Sequence, residues 1–140
     1  MTDVPQFPAD VIDLLEAPIV AVLATRRRDD TVLLSPVWFE WRDGAFHVWV
    51  DRESAGKVRH VQRDPRVSLV ISTPDPPYRG IELRGEATVT DEDYFGVMRR
   101  TAERYYDAEH AAKLVADYPE PGYVIRIVPV DVRTWDYTPA

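Results

Sequence analysis

The chain has 140 residues, of which 45% are hydrophobic and 29% charged, with a formal charge of −7. This suits a single globular domain over residues 1–140, since domains commonly run to roughly 100–200 residues, and the composition is far from that of a disordered segment. Acidic residues spread along the chain leave no basic face for a phosphate backbone, and the longest apolar run, Pro18 to Ala24, is far short of the roughly 20 residues that cross a bilayer. Neither nucleic acid nor membrane is an expected partner.

The start Met1-Thr2-Asp3 has no positive segment with an apolar stretch behind it, so a cytoplasmic location is expected. No cysteine is present, which removes disulfides, thiolate nucleophiles, iron–sulfur clusters and cysteine zinc sites together.

In chain order, Pro8 opens a short helix that places Val11, Leu14 and Leu15 on one face. Ile19 to Thr25 reads as a buried strand, and Arg26-Arg27-Arg28-Asp29-Asp30 as a polar hairpin turn. Thr31 to Trp41 is β-branched and aromatic but carries Pro36, which cannot donate to a ladder and belongs at an edge, bulge or break. Asp43-Gly44 predicts a hairpin into the return strand Phe46 to Asp51, which brings Ser35 to Trp38 alongside it. Ser54 is placed to cap a short helix that buries Ala55, Val58 and Val61 and stops at Asp64-Pro65.

Val67 to Ser72 and Gly80 to Thr90 read as strands, the second alternating apolar and charged residues so that one face is wet or meets a partner. Thr90 to Asp93 forms a weak capping box for a helix whose stripe is Tyr94, Val97, Met98, Thr101 and Tyr105. A second helix runs from Ala108 to Tyr118, and Tyr123 to Trp135 closes the chain as a long β segment interrupted at Pro129. Five or six strands are too few for two full sheets; a small closed barrel fits better, because closure removes exposed edges.

Several chemistries lack their residues. Neither Gly-x-Gly-x-x-Gly nor a P-loop is present, His47, His60 and His110 have no metal-ligand spacing, and no serine sits in a nucleophile elbow. Ser54-Ala55-Gly56-Lys57-Val58-Arg59 stands out: a helix start has free N–H groups and a positive dipole end, and Lys57 and Arg59 add charge. That combination can hold a phosphate, though a capped helix with two solvated cations gives the same pattern. Trp38 and Trp49 are likewise either core aromatics or the wall for a planar ring.

Three segments taken in order, Ser35 to Phe39, Lys57 to Leu69 and Gly80 to Ala87, resemble the successive signatures of pyridoxamine-phosphate-oxidase-like split barrels. Within them the chain is most similar to the short flavin/deazaflavin oxidoreductases that bind coenzyme F420, over about Ile12 to Trp135. The resemblance implies a mainly β fold with helices, a six-stranded split β-barrel, working as a homodimer with cofactor sites between subunits. It also implies that Ser35, Pro36, Val37 and Trp38 line the ring system and that Val50 and Asp51 lie beside it. Ser54, Lys57 and Arg59 would hold the phosphate, and Trp135 would reach in from the other subunit.

One departure is His60, where asparagine is common among relatives. The chain also ends at Ala140 without the C-terminal extension associated with substrate recognition in the vitamin B6 oxidase, so that activity is not expected.

The activity implied is hydride transfer between reduced F420 and an unsaturated or quinone-like small molecule, with Tyr78 and Tyr123 as conceivable proton donors. FMN is the alternative cofactor: it shares the fused ring and phosphorylated ribityl chain but lacks the anionic tail that Arg26 to Arg28 could meet, unless those arginines are simply a solvated hairpin turn. A non-catalytic carrier of a cofactor or tetrapyrrole is the alternative of another class.

Overall fold

The computed structural model describes residues 6–140; the reading of Met1-Thr2-Asp3 falls outside them. The elements are a 3-10 turn Ile12–Leu15, β1 (Ala21–Arg26), β2 (Val32–Val37), β3 (Glu40–Arg42), β4 (Ala45–Val50), a 3-10 turn Arg52–Ser54, and α1 (Gly56–Arg63). They continue with β5 (Arg66–Ser72), β6 (Arg79–Thr90), α2 (Tyr94–Tyr105), α3 (Ala108–Asp117) and β7 (Tyr123–Asp136).

All strand pairs are antiparallel, in the order β2-β1-β5-β6-β7-β4-β3. β2 and β3 are consecutive in the chain yet occupy opposite edges, joined only by Trp38 and Phe39. Three Cα–Cα steps span no more than about 11 Å, so the sheet must roll until its edges nearly meet. The result is a split barrel of seven strands among the described residues, which corrects the expected six. The extra strand arises because the segment Thr31 to Trp41 divides after Val37: the first half pairs with β1, and the second forms a three-residue hairpin arm with β4.

The Asp43-Gly44 turn forms as expected, with φ of 54° and 76° at the two residues, the left-handed pair that a tight hairpin requires. Pro36 sits within β2 at the sheet edge, where its missing N–H breaks no central ladder.

Alternate strand residues build the barrel interior. Leu23, Val37, Phe46, Val48, Val50, Leu69, Ile71, Ile81, Leu83 and Ile127 form one core with Val58 and Val61 of α1, and Val11, Leu14 and Leu15 join it from the N-terminal turn. That turn is 3-10 and not α because it spans only four residues before Pro18 stops it. β4 is buried on both faces: Trp49 turns away from the barrel and packs under α2 and α3 with Tyr94, Val97, Met98 and Val124. The expected capping box at Thr90 to Asp93 does not form. Asp93 adopts the left-handed region and its carboxylate receives Arg100 at 2.7 Å.

β1 is not buried on both sides, as its continuous apolar run suggested; its burial alternates and its outer face stays open. Val20, Val32, Leu34 and Val130 are all large apolar side chains exposed on or beside the sheet.

Candidate functional site

Where β2 gives way to Trp38 and Phe39, the barrel edge opens opposite the end of β4. The gap is a cleft of about 290 Å³ lined by Pro36, Val37, Trp38, Trp49, Val50, Asp51, Lys57 and Leu114. Seven of these residues, all but Leu114, were singled out from sequence. The hairpin does not bring them together by pairing, as expected, because Ser35 to Val37 ladder onto β1; they face β4 across the open split.

The chain leaves β4 at Asp51, makes the 3-10 turn and enters α1, so Lys57 lies in the first helical turn directly beneath the cleft. Burial pulls the Lys57 ammonium below its ordinary pKa, and Asp51, the one charge acting on it in the described structure, pushes the other way. Ser54 does not cap α1: it ends the 3-10 turn, it is exposed, and Ala55 occupies the cap position without a side-chain bond. Arg59 is exposed, with its guanidinium folded back over Gly56 at the helix start.

One wall is aromatic. The Trp38 indole stacks on Tyr105 at 4.9 Å and 9° between planes, meets Tyr106 edge-on at 5.1 Å, and lies 6.4 Å from Trp49. One face of Trp38 is therefore taken by α2, leaving the other for the cleft. The last turn of α2 is locked by Arg104, which donates to the carbonyls of Phe39 (2.9 Å), Leu15 (2.8 Å) and Ala17 (2.6 Å), and by the Tyr105 hydroxyl donating to Ile19 (2.7 Å). Tyr105, Tyr106 and Leu114 were not foreseen as part of this site. Tyr105 was legible only as the end of a helical stripe, and Leu114 carried no signal.

The remaining candidates lie apart. Ser35 is buried, turned into the barrel. Trp135 is twelve residues along β7 from Tyr123, the partner of Val50, which is roughly 40 Å of strand. Its ring lies across Gly80. The arginine turn follows the β1–β2 hairpin end where Arg26 pairs with Val32, five residues and roughly 17 Å from Val37. There Arg27 donates to Val32 O and Arg26 faces Asp64, so the turn does not border this copy's cleft. Tyr78 neighbours Tyr137 at the far end of the sheet; Tyr123 is the exception, pairing with the cleft residue Val50, though its side chain packs against the main core. His60 turns from the cleft to β1, with its Nδ1 3.0 Å from Thr25 Oγ1.

A larger groove of about 440 Å³ separates β3 from α2, but its cations already have partners, although the Nε of Arg42 and of Arg104 is buried without a hydrogen bond. Arg100 bonds Glu40 and Asp93, Arg104 bonds three carbonyls, and Arg42 faces Glu40 and Asp93. Lys57, by contrast, is a half-buried cation with neither a hydrogen bond nor an ion pair among the described residues.

A rolled antiparallel sheet left open at one seam, with an aromatic cleft in that seam, defines a split β-barrel protein. The chain belongs to the pyridoxamine 5'-phosphate oxidase family, whose model matches residues 7–136. No curated protein matches the sequence significantly. Among solved structures it is similar to a conserved hypothetical protein of Mycobacterium tuberculosis, with 26% identity, a TM-score of 0.77, and coverage of 98% of this chain and 89% of that one. It is also similar to an F420 reductase (23%, TM-score 0.72, 91% and 98% covered) and to HutZ, the heme storage protein of Vibrio cholerae (12%, 0.70, 94% and 95%). No helix among the described residues is long and apolar enough to cross a membrane.

Proposed function

We propose that the chain is an F420-dependent oxidoreductase that works as a homodimer and passes a hydride to an unsaturated or quinone-like small molecule. The observation that carries this reading is the half-buried Lys57 at the floor of a cleft walled by Trp38 and Trp49. A buried ammonium without a bonded carboxylate is costly unless an anion completes it, and a phosphate beneath an aromatic slot is what a phosphorylated ring cofactor offers.

When bound, such a cofactor supplies the hydride chemistry. The protein's share is placement. Pro36, Val37, Trp38 and Val50 flank the ring and exclude water; Lys57 holds the phosphate, with Arg59 and Ser54 at the solvent side; Asp51 sets the charge of Lys57.

At about 290 Å³ the cleft sits at the small end of the roughly 300–1,000 Å³ of small-molecule pockets, and a second copy would enlarge it. A second copy on the outer sheet face would bury Val20, Val32 and Leu34 inside a rim formed by the Arg84–Asp131 and Arg133–Glu82 pairs. Trp135 would then serve the partner's cleft and not its own.

FMN is the second reading, favoured by one observation: Arg26 to Arg28 lie away from the cleft, so this copy presents no arginine cluster to an anionic tail. A haem-type carrier is supported less, because no histidine lines the cleft to ligate iron.

The test is titration of the purified protein with F420 and with FMN, following tryptophan and cofactor fluorescence, repeated on Lys57→Ala. F420 should bind at micromolar or tighter concentration and more tightly than FMN. Lys57→Ala should weaken it about 10- to 100-fold, the scale of a charged hydrogen bond of roughly 1.5–3 kcal/mol. Tighter FMN binding selects the second reading, and no binding of either overturns both.

A further inference from the structure

The residues lining the cleft include one carboxylate and one lysine but no group suited to giving up a proton near neutral pH. Reduction of a conjugated carbonyl or a quinone leaves negative charge on an oxygen, which a donor beside the cleft would neutralise without waiting on bulk water.

Three histidines are available. His47 is buried under α2, and His60 faces Thr25. His110 differs. It stands on α3 four residues before Leu114, which lines the cleft, so the two share one helical face about one turn apart. Its ring neighbours Tyr106 at 6.4 Å, and Tyr106 meets the cleft wall Trp38 at 5.1 Å. Nδ1 of His110 is 2.8 and 2.9 Å from the two oxygens of Asp107, the N-cap of α3. The carboxylate thus claims Nδ1 and leaves Nε2 as the working nitrogen. Asp107 itself is fixed by the His110 backbone N–H at 2.8 Å, so the pair is held at both ends.

We propose that His110, oriented by Asp107, is the proton donor at the mouth of this cleft. Its substrates are then small molecules whose reduction leaves charge on a carbonyl oxygen: enones and quinones. The proposal rests on the redox reading of the cleft given above.

For an enone the hydride from the reduced cofactor adds to the β-carbon and the C=C electron pair shifts toward oxygen. The His110 imidazolium donates its Nε2 proton to that oxygen, so one O–H bond forms and one N–H bond breaks. Neutral His110 is recharged by water. The cofactor loses two electrons and a proton, and the enone gains two electrons and two protons, the second from His110. Asp107 is a positioning residue. The titratable and charged groups on the elements around His110 are Asp107, Glu109 and Lys113 at or on α3 and Tyr106 at the end of α2, with Lys57 and Asp51 on the cleft floor.

The experiment has two readouts on wild type, His110→Gln and Asp107→Asn. Asparagine keeps the N-cap, so the helix start survives in the last variant. The first readout is the pH profile of kcat/KM for 2-cyclohexen-1-one and for menadione with the cofactor selected by titration. The wild-type profile should fall on the alkaline side; His110→Gln should flatten that limb and lower kcat about 100-fold with cofactor affinity unchanged, and Asp107→Asn should lie between. The second is the imidazole Cε1–H resonance of His110, assigned with His110→Gln, during titration with 4-nitrophenol as an oxyanion mimic, in the free and cofactor-loaded protein.

A shift that saturates with phenol supports the proposal even where neither acceptor turns over. An unmoved resonance, or an unchanged pH profile in His110→Gln, overturns it. Failure of cofactor binding alone overturns the redox reading instead, and the phenol titration of the free protein still reports the geometry of His110.

Discussion

Arg104→Ala is the substitution that most directly tests how the fold holds the cleft. The Arg104 guanidinium donates three hydrogen bonds, to Phe39, Leu15 and Ala17, and lies 4.5 Å above the Phe39 ring. These contacts tie together the end of α2, the N-terminal turn and the chain as it crosses the split. Each charged hydrogen bond contributes roughly 1.5–3 kcal/mol, but three on one side chain do not add, so a loss of about 3–5 kcal/mol is expected. For a domain of this size that lowers Tm by roughly 10–20 °C. Tyr105 is the next residue and stacks on Trp38, so tryptophan emission should also shift red and F420 affinity should fall. Urea unfolding followed by circular dichroism measures the first effect, and fluorescence the second. A destabilisation below 1 kcal/mol with unchanged tryptophan emission would refute the argument that this arginine anchors the aromatic wall.

Other outcomes follow from single observations. A Cβ at Gly80 would lie 2.1 Å from the Trp135 ring, so Gly80→Ala should displace that indole and cost about 1–3 kcal/mol, read as a change in near-ultraviolet circular dichroism with a lower urea midpoint. Leu34 is 65% exposed on the face proposed to pair, so Leu34→Asp should convert a dimer to a monomer in sedimentation velocity; a monomeric wild type would remove that part of the proposal. Burial, then the charge of Arg42, pulls the His47 pKa below its ordinary value. The native state therefore binds fewer protons than the unfolded chain, so this contribution to stability is present above about pH 6.5 and is lost as pH falls below it. His47→Gln should flatten the loss of stability between pH 7 and 5, and an equal slope in both proteins would count against it.

The strands, their turns and the buried stripe of α2 were legible in the sequence because each rests on local rules: alternation, Asp-Gly chirality and helical periodicity. The strand count was not. Whether Thr31 to Trp41 is one strand or two depends on the rolling of the whole sheet, which forces the chain to cross the seam at Trp38 and Phe39. The same limit explains the site. Pro36, Val37, Trp38, Val50, Asp51 and Lys57 cluster because they flank that crossing in sequence. Tyr105, Tyr106 and Leu114 come from the α2–α3 segment, more than sixty residues after the crossing; the Arg104 bonds hold the end of α2 there, and no local pattern in the sequence announces that these residues meet the cleft.

This division has a consequence for specificity. The floor of the cleft, from Asp51 to Lys57, is built by the strand-to-helix turn that the barrel itself requires. The wall residues Tyr105, Tyr106 and Leu114, and the proposed donor His110, belong to the α2–α3 excursion inserted between β6 and β7. A change at Tyr106 or on α3 that leaves the Arg104 bonds and the Tyr105 stack intact should therefore alter which acceptor is reduced while leaving the cofactor in place. A Tyr106→Ala variant makes the separation measurable: it removes the ring between Trp38 and His110, so KM for bulky quinones should change while the dissociation constant for the cofactor stays within a factor of about 2, less than the roughly 0.5 kcal/mol scatter expected of a remote surface substitution. Equal losses in both would mean that floor and wall are one site, and that acceptor choice cannot be tuned from the helices alone.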